Sequence, residues 1–390
     1  MPTLSETVRQ IVSEINASLY ERTEAVNAIT VAALARQHSI LYGPPGMAKS
    51  LLARALCERI TGANFKDLLL DRQLPPESLF GPWDIAGLKS GQWHRLVDGY
   101  LPTSHVWFLD EIGKAGPAVL NPLLTALNER MYHNNSKPMP IPLLFCVAAS
   151  NEQLEPELAA VRDRFLIHLD IGSIAEDSNF ASFLSDPFTP DPSPTTISLD
   201  DFKAATKEVE AVTIPDSVVQ RIVRLRHELV EGASADPSPR RWRASMGLVR
   251  AQAWLNGRSS VDEDDLAILR HALWEVPEQK DEVFEIVMAA TGEYTRTLTE
   301  YSKIISDIEH RIDVPSGTAD QKKASVGGDV IHKLRETQTN LTKLRESAAR
   351  EGRDISRVDD LSSRCVAANT RALVELLGMS PQAAGLASGR

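Results

Sequence analysis

Apolar residues recur at helical spacing through residues 4–34, where Val8, Ile11, Val12, Ile15 and Leu19 stand three or four apart, so the chain is expected to open as helix. A short apolar run at 39–42 leads into Gly43-Pro44-Pro45-Gly46-Met47-Ala48-Lys49-Ser50, and residues 51–60 return to helical periodicity. Further runs of strand length lie at 65–70, 106–109, 143–149 and 165–169, mostly separated by helical patterns. That alternation predicts an α/β fold with a parallel sheet. Residues 75–102 interrupt it with Gly, Pro and aromatics, among them Trp83, Gly87, Gly91 and Trp93, and are read as an inserted hairpin or loop.

The proline density of SDPFTPDPSPTT (185–196) excludes helix interiors and sheet ladders, which marks a linker. Residues 199–274 read as all-helical, with arginines at 221, 224, 226, 240, 241, 243 and 250. Beyond them, Val283, Val287, Ala290, Tyr294, Leu298, Tyr301, Ile305, Ile308 and Ile312 alternate steps of three and four. After a Gly/Ser-containing break at 315–328, a second stripe runs Ile331, Leu334, Gln338, Leu341, Leu344, Ala348. A third runs Val358, Leu361, Cys365, Ala368, Ala372, Leu376. Three amphipathic helices predict an antiparallel bundle or arm. The tail, 380–390, is small and polar and is expected to be disordered.

Composition narrows the class. Of 390 residues 43% are hydrophobic, enough for several cores, and 42 Lys+Arg against 53 Asp+Glu leave a net charge of −11. No stretch approaches the roughly 18 consecutive apolar residues of a membrane span. The N-terminus lacks a secretory layout, so a cytoplasmic location is expected. Cys57, Cys146 and Cys365 are too scattered for a disulfide framework or a CxxC metal site and are read as core residues. The acidic balance argues against a protein that coats nucleic acid through bulk charge.

The chemistry is concentrated at the ends of the predicted strands. In Gly43–Ser50 the glycines let backbone N–H groups turn inward on phosphate oxygens, and the following helix adds its positive end. Lys49 can reach the β/γ-phosphates and Ser50 can ligate Mg²⁺; Leu51 continues the helix. Ala48 stands where glycine is usual, at little cost if its backbone is helical. The run 106–109 ends in Asp110-Glu111, placed to hold the Mg²⁺ shell and to orient and deprotonate water, respectively. The run 143–149 closes on Asn151, whose neutral amide can position water and γ-phosphate; an asparagine chosen for turn geometry is the alternative. In Val161-Arg162-Asp163-Arg164-Phe165 a guanidinium can stabilise charge on a neighbour's γ-phosphate, Arg164 being the better candidate and an ordinary surface arginine the alternative. Ser238-Pro239-Arg240-Arg241-Trp242 reads as a helix start from which Arg240 or Arg241 reaches a phosphate.

GPPGMAKS, FLDE, AASN, RDRF and SPRRW, in this order, resemble the AAA+ ATPases and, within them, the MoxR family, RavA-type regulatory ATPases above all. The resemblance spans about 4–274. It makes Lys49 and Ser50 the Walker A pair, Asp110 and Glu111 the Walker B acids, Asn151 sensor 1, Arg164 the arginine finger and Arg240 sensor 2. Residues 79–102 are similar to that family's insertion in helix 2, and SLYERTEAV (18–26) also matches. RavA-type proteins carry a β-rich insert in a helical C-terminal region. Here the last third shows helical stripes only, so functions tied to that insert do not transfer.

Four segments follow: 1–190, an αβα nucleotide-binding core; 191–280, an all-α lid; 281–379, a three-helix region; and 380–390, a flexible tail. The resemblance implies ATP and Mg²⁺ as cofactors and a homo-oligomer, a hexameric ring hydrolysing ATP between subunits. It also implies remodelling or maturation of protein clients, with a von Willebrand A-domain partner. Two alternatives stand beside it. A nucleic-acid motor would need a basic insert, yet Lys89 and Arg95 face Glu77, Asp84 and Asp98. A nucleotide-gated scaffold with negligible hydrolysis conflicts with the intact Asp110-Glu111 pair. Trp83 and Trp93 are candidates to grip a client.

Overall fold

The computed structural model describes residues 2–134, 137–185, 193–313, 320–350, 355–380 and 383. Helix α1 (Leu4–Ser18) starts in a capping box, the Thr3 hydroxyl accepting the Glu6 N–H and the Glu6 carboxylate accepting that of Thr3. It buries Val8, Ile11, Val12 and Ile15. The helix expected over 4–34 is in fact two, because Glu21 takes a left-handed φ of 54° before α2 (Thr23–Leu34). The Glu21 carboxylate accepts the N–H groups of Ala175 and Glu176 at 2.7 and 2.9 Å, so the interruption anchors a distant segment.

Five strands form one all-parallel sheet: β1 (Ser39–Tyr42), β2 (Phe65–Leu69), β3 (Val106–Asp110), β4 (Phe145–Ser150) and β5 (Ile167–Asp170). Their spatial order is 2-3-4-1-5, with β1 between β4 and β5 so that Tyr42 faces both Ser150 and Asp170. Every residue of β4 is buried, as expected of a strand covered on both faces. His38, just before β1, accepts the Cys146 N–H at Nδ1 and meets the Leu127 carbonyl at Nε2, both at 3.1 Å. Burial pushes its pKa down to about 3, aided by nearby Arg130, so it is a neutral structural pin.

Helix α3 (Lys49–Glu58) follows β1 and α4 (Pro117–Glu129) follows β3. The segment 75–102 is no hairpin. It is made of helical turns at Pro76–Phe80, Ile85–Lys89 and Leu101–Thr103, joined by a single antiparallel bridge between Trp83 and Arg95. Asp84 caps the second turn by accepting the Ala86 N–H at 3.0 Å. Met131–Asn134 and Lys137–Pro140 do pair as antiparallel strands, where the sequence shows no apolar alternation.

Helix α5 (Asp177–Ser185) precedes the proline-rich linker, whose residues 186–192 lie outside the described ones. Helices α6 (Leu199–Ala211), α7 (Asp216–Ala233) and α8 (Pro239–Leu255) then form the expected helical layer. Ser238 caps α8 through the Arg241 N–H, and Pro239 occupies its first turn, as the sequence indicated. The chain divides into two compact units, Met1–Val287 and Met288–Arg390, with α9 (Lys280–Ala290) crossing the boundary.

In the second unit α10 (Glu293–Asp313), α11 (Asp320–Arg350) and α12 (Ser356–Glu375) share a core that includes Leu298, Ile305, Leu334, Leu341, Val358 and Cys365. Part of the break expected at 315–328 is helical, since α11 starts at Asp320 and runs through Gly327 and Gly328. Residues 314–319 and most of the predicted tail lie outside the described ones. All three cysteines are buried and free.

A candidate nucleotide site at the carboxyl ends of the strands

Ligands of open α/β sheets bind beyond the carboxyl ends of the strands, and three neighbouring strands deliver the expected groups there. The loop after β1 curls at Gly43 and Gly46, with φ of 151° and 83°. A Cβ on Gly43 would lie 2.2 Å from the Ile171 carbonyl oxygen, so only glycine fits. Ala48 corrects the sequence reading. Its backbone is left-handed (φ 62°, ψ 22°), not helical, because it is the N-cap and the helix begins one residue later at Lys49.

Lys49 is buried, and its ammonium is folded back onto the loop. It donates to the carbonyls of Gly43 and of Pro44 (3.2 Å) and to Asn151 Oδ1 at 2.8 Å. Burial lowers its pKa, while Asp110 and Glu111 act in the opposite direction. The Asn151 amide donates to Glu111 Oε1, so one side chain at the end of β4 joins the loop lysine to the acid after β3. This contact depends on β3 and β4 being adjacent in the sheet. Glu111 is itself left-handed (φ 55°), an uncommon state for a non-glycine residue and one that clusters at functional sites. Its N–H donates to Asp110 Oδ1 at 3.0 Å, and Lys114 lies 3.3 Å from its other carboxylate oxygen.

Pro44, Pro45, Gly46, Ser50 and Leu51 are exposed along the loop and helix start; Met47 is half-buried. The Ser50 hydroxyl and the Asp110 carboxylate are oxygen donors of the kind Mg²⁺ takes, the ion drawing its remaining ligands from phosphate and water.

The two arginines picked from the sequence do not join this cluster. Arg164 Nη1 donates to Asp163 at 2.9 Å, and its Nε is buried without a partner. Arg240, about half exposed, donates to Asn128 Oδ1 and stands 3.9 Å from the same Asp163 oxygen. The choice between Arg240 and Arg241 is a geometric one. Arg241 is buried, donates to the carbonyls of Ala272 and of Leu166 (3.1 Å), and has its pKa lowered to about 10 by desolvation. It fastens α8 to the core, whereas Arg240 keeps an exposed guanidinium. Asp163 and Asn128 were missed as participants. Asp163 lies in the RDRF segment that the sequence singles out and Asn128 near the end of α4, yet neither residue type announces an arginine partner.

In the insert, Arg95 lies over Trp83, 4.1 Å from its ring centroid, and pairs with Glu77 at 3.0 Å; Trp93 meets Trp83 edge-on at 6.3 Å. Trp93 is 60% exposed, whereas Trp107 and Trp274 are buried core residues.

A parallel sheet in order 5-1-4-3-2 places a phosphate loop after β1, an acid pair after β3 and an asparagine after β4. With a helical layer behind it, this defines an AAA+ ATPase fold. Residues 6–205 match the family model described as the MoxR domain in the MoxR-vWA-beta-propeller ternary systems, and residues 217–287 match an AAA lid domain. The chain belongs to the MoxR family of AAA+ ATPases. Two uncharacterized proteins of Methanocaldococcus jannaschii are each 30% identical to it, over 93% and 91% of this chain and 95% of theirs. The chaperone MoxR1 of Mycobacterium tuberculosis is 25% identical over 68% of this chain and 75% of its own. A solved Cytophaga hutchinsonii protein assigned as an ATPase shares the fold, with a TM-score of 0.60 at 18% identity, over 74% of this chain and 95% of that one.

Proposed function

We propose that this chain binds ATP with Mg²⁺ at the loop of Gly43–Ser50, hydrolyses it within a ring of identical subunits, six by family resemblance, and uses the turnover to remodel or mature partner proteins. The observation that carries the reading is the Lys49–Asn151–Glu111 chain, which links a phosphate-binding cation to a candidate base through a neutral amide. Lys49 exchanges its loop carbonyls for the β/γ-phosphates. Glu111 takes the proton of the attacking water, and Asn151 orients that water. Ser50 and Asp110 would hold Mg²⁺, which would supply positive charge against the phosphates. Arg164 of one copy serves the nucleotide of the next, a heterologous contact that closes a ring when repeated. Arg240 contributes from the lid.

The functional division follows the sequence segments: chemistry in 1–190, a lid in 191–280, and partner docking in the helical region 281–379. A von Willebrand A-domain protein is the partner class, supported by the description of the matching family model, and the chaperone name of one relative supports action on protein clients. The exposed Trp83–Trp93 pair is the client-gripping candidate. Among the described residues no helix is long and apolar enough to cross a membrane; the family resemblance is what suggests action in the cytoplasm.

The test is Glu111→Gln. It should retain ATP binding and ring assembly but lose about 10²-fold or more of its phosphate release, the span of a general base. With ATP the same variant should hold a purified von Willebrand A-domain partner that wild type releases. Wild-type turnover in Glu111→Gln would remove the assigned base.

A further inference from the structure

Two arginines, one from the core and one from the lid, meet at a single carboxylate oxygen. Arg164, in the turn before β5, donates to Asp163 Oδ2 at 2.9 Å, and Arg240, in the first turn of α8, stands 3.9 Å from the same oxygen. Arg162 lies close enough to the buried Arg241 to disfavour its charge, after the larger effect of burial, and Asp163 and Glu275 counter that effect on Arg241. Among the described residues the Nε of Arg164 is enclosed without a partner, and the bond its guanidinium makes is the one to Asp163. Among the described residues Arg240 has the amide oxygen of Asn128 besides. A guanidinium on a flexible stem loses rotamer freedom when it is held in one pose, and a carboxylate supplies the charge-assisted bond that offsets the loss.

We infer that Asp163 is a positioning residue: it holds Arg164 in the pose from which that arginine reaches a neighbouring copy's nucleotide, and through Arg240 it ties the pose to the lid. The inference rests on the proposed trans role of Arg164. Asp163 itself touches no reacting atom. Its removal leaves the chain's own phosphate loop, Glu111 and Asn151 intact and loosens the group offered to the next subunit. A lid displacement that withdraws Arg240 also alters the charge balance at Asp163, so lid position and finger pose change together.

The experiment uses the full chain with Asp163→Asn, which keeps the shape and removes the charge, and Asp163→Glu, which keeps the charge. Asp163→Asn should lower kcat about 10²-fold, the effect of misplacing a reacting group by an ångström. Its affinity for a fluorescent ATP analogue and its melting temperature should stay at wild-type values. Asp163→Glu should recover most of the turnover. In mixed rings, with mixing verified, Asp163→Asn subunits should regain activity beside Lys49→Ala subunits, which lack a nucleotide site but supply a sound finger. They should not regain it beside Arg164→Ala subunits, which share the same defect.

Wild-type turnover in Asp163→Asn, recovery beside Arg164→Ala, or a folded but inactive Asp163→Glu would each overturn the inference. Should Asp163→Asn melt early, Asp163→Glu decides alone: folded and active supports the role, folded and inactive ends it. If Arg164→Ala itself turns over normally, the finger reading is what fails. If Arg164→Ala is inactive while Asp163→Asn is normal, only the role of Asp163 is lost.

Discussion

At position 48 the backbone takes φ 62° and ψ 22°, where an L-residue's Cβ crowds the following carbonyl at a cost of about 1–2 kcal/mol. The residue type is legible in the sequence, but its conformation is not. Alanine beside a helix reads as helical, and only the observed start of α3 at Lys49 puts Ala48 outside. Ala48→Gly should therefore stabilise the chain, the relieved strain exceeding the extra glycine entropy of about 0.5–1 kcal/mol. A gain on the order of 1 kcal/mol in urea unfolding is expected; a loss would mean that alanine sits there unstrained. Lys49, Asp110 and Glu111 are legible because the proposed chemistry needs those residue types at a helix start and a strand end. The link through Asn151 was out of reach of sequence, because it depends on which strands are neighbours in the sheet.

Among the elements, α8 shows why adjacent residues of one type can have unrelated work. Successive helix positions diverge by about 100°, so Arg241 turns into the interior toward Ala272 and Leu166 while Arg240 turns outward toward Asn128 and Asp163. Periodicity located the helix and its Ser238 cap but could not assign the faces, since Arg241 is a charged residue at a core position. Arg241→Ala leaves two buried carbonyls without their cation and should cost about 3 kcal/mol. Arg241→Lys should not restore it, because an ammonium cannot span both acceptors as the fork does. Arg240→Ala should change stability by less than about 1 kcal/mol and lower ATP turnover instead. Denaturation and phosphate release on the same variants separate the two, and a stability loss in Arg240→Ala matching that of Arg241→Ala would reverse the assignment. The antiparallel pair of 131–134 and 137–140 escaped the sequence reading for a related reason. Asn134, Pro138 and Pro140 give no period-2 pattern, and the strands are fixed by pairing with each other.

For the molecule as a whole, the decisive fact is that the two compact units, Met1–Val287 and Met288–Arg390, each enclose a core. The candidate nucleotide-site residues lie in the first, and the second is built on Leu298, Leu334, Leu341 and their neighbours. A net charge of −11 adds a general bias toward protein rather than nucleic-acid partners. Two cores in one chain should unfold as two calorimetric transitions, since single-transition behaviour belongs to single domains. A ligand that binds only the native first unit should raise only that unit's transition. At a hundred times its Kd, a non-hydrolysable ATP analogue with Mg²⁺ contributes about 2.7 kcal/mol. Leu334→Ala opens a cavity in the second core, should cost about 2–5 kcal/mol, and thereby identifies the other transition by lowering it alone. A single transition that responds to both perturbations would show that the two cores stand or fall together. The helical unit would then have to be counted as part of the ATPase body and not as a separately folded docking element.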